Sequence, residues 1–92
     1  MIPHRMLTSE AYQCTAGVPR FGEAELTLIA AGARESPRGR CRILMHPGVE
    51  SRLHHMAVAY AANSYIRTNK HRAKSESVTV LRGECIVVFF DQ

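Results

Sequence analysis

The sequence predicts a mainly β protein with one α-helix near its N-terminus. Three observations carry this. Leu26, Ile29, Ala30 and Ala33 fall at i, i+3, i+4 and i+7, an apolar stripe with the helical period. From Cys41 onward the period drops to two, as in a strand. Cys85 to Phe90 is an unbroken apolar run of strand length. Two apolar faces on one strand call for burial on both sides, as in a sandwich or barrel.

Taken in order, residues 1–21 hold Pro3, Gly17 and Pro19 and show no clear period. They are expected to form a loose arm with at most a short strand. Glu23 and Glu25 then open a helix, where negative charge suits the first turn. Pro37 stops it and pushes Ser36 out of helical geometry, so the helix spans about residues 23–35. Cys41, Ile43 and Met45 alternate with Arg42, Leu44 and His46, a first strand after Gly39. Pro47-Gly48 is a turn signal. A second strand covers about residues 54–61, with Met56, Val58 and Tyr60 on one face and Ala57 and Ala59 on the other. Tyr65 and Ile66 form a short extended piece. A strand is expected around Val78 and Val80, a turn at Arg82-Gly83, and a last strand at Cys85 to Phe90. The organisation is an arm over residues 1–21 and one domain over 22–92.

Composition limits the alternatives. A chain of 92 residues holds one domain at most. At this size it buries only about 60–65% of its unfolded surface, so stability is marginal without help. No apolar run reaches the roughly 18 residues of a membrane span. The first residues lack the apolar centre of a secretory signal, which points to the cytoplasm. Cys14, Cys41 and Cys85 make an odd count with no CxxC pair, which fits reduced thiols. The net charge is +4 and the pI near 9.3. The basic residues are spread along the chain, and aromatics do not alternate with them. The sequence thus argues against a nucleic-acid binder. There is no nucleophile elbow, no Gly-rich phosphate loop and no HExxH. A thiolate at Cys85 would be disfavoured in its apolar strand.

One stretch carries possible chemistry, Asn63 to Gly83. Residues 69 and 71 are two apart, so in an extended chain Asn69 and His71 point to one side. Glu76 lies past a short turn and can return to that side. His71 and Glu76 could then face one point inside a barrel, and Gly83 suits a tight turn. For Glu76 an ion pair with Lys70, Arg72 or Lys74 is the competing role. His46, His54 and His55 read as ordinary strand histidines, and His4 lies in the arm.

The pattern Asn63, Asn69, His71, Glu76, Gly83 resembles the first cupin motif. The flanking text adds to this. Glu35-Ser36-Pro37-Arg38-Gly39-Arg40, Ile43-Leu44-Met45-His46, Ser64-Tyr65-Ile66 and Val80-Leu81-Arg82-Gly83 resemble, in order, small bacterial cupins of the WbuC type. The likeness covers about residues 22–92. It implies a partial cupin (jelly-roll-like) β-barrel preceded by the helix. In that family two His and one Glu of the first motif, with one His of a second motif, hold a divalent metal. Iron, manganese, nickel and zinc suit such donors, which leave positions open for a substrate. Here Asn63 replaces a Gly and Asn69 replaces the first His. The second motif is expected to be missing, because the chain ends at Gln92. His71 and Glu76 remain as metal ligands, so metal would be weakly bound or absent. The resemblance further implies a link to surface polysaccharide (O-antigen) metabolism and a small, sugar-like ligand. The alternative is a non-catalytic interaction domain or a truncated cupin remnant. With the barrel incomplete, the strand Cys85 to Phe90 would be an apolar edge, which suggests a homodimer through it.

Overall fold

The computed structural model describes residues 1–48, 50–62, 64 and 77–86. Four short strands and one helix follow in the order β1 (His4–Thr8), β2 (Ala11–Cys14), α1 (Glu23–Glu35), β3 (Arg40–Leu44) and β4 (Met56–Tyr60). The strands form one sheet in the order β1-β2-β3-β4. β1 pairs antiparallel with β2, β2 parallel with β3, and β3 antiparallel with β4. A parallel pair needs a crossover, and α1 supplies it. The result is a mainly β chain with an open, mixed sheet and a helix on one face. Among the described residues the sheet does not close into a barrel.

Helix α1 covers the span that the sequence predicts. Its first bond runs from the Leu26 N–H to the Gly22 carbonyl at 3.0 Å. The Glu25 carboxylate reaches back to accept the Gly22 N–H at 2.7 Å, half of a capping box, since Gly22 has no side chain to reciprocate. Ser36 ends the helix at φ −75°, ψ 132°, the extended conformation that a following proline imposes. Gly39 then turns the chain at φ +68°, a region open to glycine.

Packing follows the alternation. Cys41 and Ile43 of β3 are buried against Ile29 and Ala33 of α1, with Tyr12, Ala57 and Ala59 beside them. Cys14 and Ile2 complete the core. On β4 the small alanines face the helix, while Met56, Val58 and Tyr60 face away and are exposed.

Residues 4–14, expected to lie in a loose arm, form the β1–β2 hairpin instead. Its outer strand is mostly polar and exposed, and Gln13 occupies a buried position on its inner strand. Neither follows a hydrophobic period, so periodicity could not find the hairpin. The Gln13 side-chain amide is satisfied by carbonyls: Nε2 donates to His46 O at 2.9 Å and Cys14 O at 3.0 Å.

The strand expected around Val78 and Val80 is absent. Residues 77–81 have no regular structure, and Val78, Val80 and Leu81 are exposed. An alternating pattern needs a neighbouring strand and a core to cover it, and among the described residues no strand pairs with this segment. Gly83, by contrast, makes its turn, with φ +85°. Of the run expected as a buried last strand, Cys85 and Ile86 are exposed and non-strand. Its residues 87–90 lie outside the described residues, as does the extended piece at Tyr65 and Ile66.

α1 lies very close to β3. A Cβ placed on Gly32 would sit 2.6 Å from Cys41 Sγ and 3.1 Å from Cys41 Cβ. Gly32→Ala is therefore expected to destabilise by about 1–3 kcal/mol from overpacking. The gain of about 1 kcal/mol that alanine brings to a helix interior offsets part of this, leaving a net loss of up to about 2 kcal/mol. Denaturant midpoints check this, and adding Cys41→Ala, which removes the sulfur, should recover part of the loss.

Candidate functional site

With α1 on one side, the strand register defines what the other side presents. Arg40 lies opposite Tyr60, Arg42 opposite Val58 and Leu44 opposite Met56. Their neighbours Cys41 and Ile43 point to the helix, so this set points away from it. Ala11 and Gln13 of β2 lie beside Arg42 and Leu44, and Arg5 of β1 lies beside Gln13. The face thus carries a row from β4, Met56-Val58-Tyr60, next to a row from β3, Leu44-Arg42-Arg40. Tyr60 is 49% exposed, Met56 38% and Val58 37%, so this apolar row meets solvent. No acidic residue occupies a strand position on this face.

Glu10, in the β1–β2 turn, interacts with the charge of Arg40 and is itself held by Arg38 and Ser36. It accepts hydrogen bonds from the Ser36 hydroxyl and from both Nε and Nη2 of Arg38. The Arg38 backbone N–H donates to Ser36 Oγ at 3.1 Å. The Ser36-Pro37-Arg38 segment therefore clasps the hairpin turn. A second tie joins the N-terminus to the helix: Glu25 accepts the Ile2 N–H at 2.9 Å. Sequence reasoning missed both Glu10 and Gln13. Their partners are 26 to 33 residues away, and no local pattern marks them.

These hydrogen bonds shift both carboxyls. The Arg38 guanidinium, then the Ser36 hydroxyl, hold Glu10 down at about 2 from an ordinary 4.5. The Ile2 and Gly22 amides lower Glu25. Burial raises the Cys41 thiol, which keeps it protonated.

The expected metal ligands His71 and Glu76, and Asn69 at the lost position, lie outside the described residues. So does Asn63. Of the motif positions only Gly83 is described, at φ +85° in a bend that no strand flanks among the described residues. Among the described residues no group of three or more His, Cys, Asp or Glu could hold a metal ion. His46 is buried, accepts the His55 N–H at Nδ1 (3.1 Å), and stacks on His54 with ring centroids 4.2 Å apart. Parallel stacked rings send their lone pairs into parallel planes, which does not converge on one metal. Cys14 and Cys41 are free and buried, and Cys85 is free and exposed. No helix among the described residues is long and apolar enough to cross a membrane.

Fold and face together define, among the described residues, a small helix-backed sheet domain whose outer face is cationic and apolar and exposed over β3 and β4, while Ala11 and Gln13 of β2 are buried on it. Residues 21–92 match the model of DUF6016, a domain of unknown function, and the chain belongs to that family. No curated protein and no solved structure matches. The matched region starts after the β1–β2 hairpin, yet the hairpin supplies the strand that pairs with β3.

The Glu10 clasp predicts an acid limb in stability. A carboxyl whose folded pKa lies below its unfolded value stabilises the fold above the unfolded pKa. That contribution is lost as pH falls from about 4.5 towards about 2. Glu10→Gln should flatten this part of the pH–stability curve, read from urea midpoints across the acid range. The remaining slope belongs to groups such as Glu25.

Proposed function

We propose that this protein is a cupin-type domain with a weakened metal site, in which His71 and Glu76 are the retained ligands. The spacing of Asn69, His71, Glu76 and Gly83 carries the reading. One observation is consistent with it: Gly83 adopts a positive φ, which suits a tight turn at the motif's end. One imidazole and one carboxylate suit iron, manganese, nickel or zinc but make a weak site by themselves. The role that follows is binding of a small, sugar-like molecule linked to surface polysaccharide metabolism, at a site completed by further ligands. A homodimer through Cys85 to Phe90 is one way of supplying them.

The test is the metal content of the purified protein, wild type beside His71→Ala. Metal retained at less than one equivalent in the wild type, and lost in the variant, is the expected result. An equal, negligible content in both would remove the metal site from the account.

The exposed face of the sheet favours a second reading, a non-catalytic interaction domain. Met56, Val58 and Tyr60 stand in solvent beside Arg40 and Arg42, on a strand pair whose other side is fully used by the core. A partner on that face is its physical consequence.

A further inference from the structure

The second reading leaves the partner unnamed, and the chemistry of the face narrows it. The exposed apolar surface comes from three side chains, each more than a third exposed. Stable protein pairs bury about 800 Å² on each side, which these side chains alone do not approach. A second copy laid on this face would also bring Arg5, Arg40 and Arg42 against their own duplicates, with no carboxylate in any facing strand position. Electrostatic complementarity calls for an anionic partner.

The geometry adds a second condition. Residues i and i+2 on a strand lie about 6.8 Å apart on one face, and paired strands about 4.8 Å apart. Arg40 and Arg42 are therefore two cations spaced along a line. Tyr60 and Val58 form a parallel line beside them, each opposite one arginine. Charges tracking a backbone, with a flat aromatic and apolar surface alongside, are what a single strand of nucleic acid requires. Guanidinium planes also accept stacked bases. An acidic helix would meet the charges but has no use for an aromatic ring set directly across from a guanidinium. In the sequence these groups look scattered, because Arg40 and Tyr60 are 20 positions apart. The β3–β4 pairing brings them together.

We infer that the open face of β3 and β4 binds single-stranded nucleic acid, with Arg40 and Arg42 on phosphates and Tyr60 stacked on a base. This rests on the reading of the chain as an interaction domain and is independent of any metal at His71 and Glu76.

The experiment is fluorescence anisotropy with a labelled oligo(dT) of about 16 nucleotides, the upper end of single-fold site sizes. Binding should weaken with salt at a log–log slope of about −1.4, the value for about two phosphates on a single strand. Arg40→Ala with Arg42→Ala should reduce both affinity and slope. Tyr60→Ala should weaken binding about tenfold, within the range for one stacked base, and Tyr60→Phe should restore it. Arg34→Ala removes the same single charge as Arg42→Ala alone, but from the exposed helix surface behind the sheet, and should leave binding nearly unchanged where Arg42→Ala weakens it. Circular dichroism confirms that each variant is folded.

Equal losses in Arg34→Ala and in Arg42→Ala would overturn the inference, since binding would then reflect net charge alone. No binding at low salt would also overturn it. In that case light scattering and a poly-glutamate peptide probe separate the two failures. A monomer that binds the peptide keeps the interaction reading with an acidic protein partner. A stable dimer that Tyr60→Asp dissociates covers the face with its own copy.

Discussion

The structure depends on the close approach of α1 to β3 at Gly32 and Cys41. Only a residue without a Cβ lets the helix lie against the Cys41 side chain. That contact places Ile29 and Ala33 over Cys41 and Ile43, the centre of the core. It also fixes the crossover. A helix seated on the sheet between β2 and β3 delivers the chain to β3 running parallel to β2. The turn through Ser36, Pro37 and Gly39 is the hinge of this arrangement, and its two polar side chains, Ser36 and Arg38, are the ones that hold Glu10.

The hairpin is therefore part of the domain and not an appendage. β2 occupies the edge of β3, the Gln13 amide ties β2 to the Leu44–His46 end of the next strand, and Glu25 holds the Ile2 backbone at the helix start. An uncovered β3 edge would otherwise offer unpaired amides to other chains. The family match begins at residue 21, so this chain builds its sheet partly from residues that precede the matched region.

The helix was legible because everything that defines it is local: acidic residues at its start, a stripe of apolar positions and a proline after its end. β3 and β4 were legible for the same reason, since Cys41 and Ile43 alternate with arginines, and Ala57 and Ala59 with larger residues. The direction of β4 was not evident. Its large side chains face solvent and its alanines face the core, because the helix leaves little room on that side. The hairpin escaped notice because its stability comes from distant partners, with polar residues at buried positions. The strand expected at Val78 and Val80 shows the opposite failure, a correct alternation with no strand paired to it among the described residues. Of the motif residues, only Gly83 falls among the described positions, so His71 and Glu76 stand on their spacing in the sequence.

The central claim is that residues 11–13 pair in parallel with residues 42–44 and so make the N-terminal hairpin integral to the fold. Interstrand nuclear Overhauser contacts, with amide hydrogen exchange on the same sample, test it most directly. The account predicts contacts linking Tyr12 with Ile43 in parallel register. It also predicts slow exchange at the Arg42 amide, which donates to the Glu10 carbonyl at 2.9 Å. Random-coil shifts and fast exchange throughout residues 4–14, with β3 and β4 still paired, would contradict it.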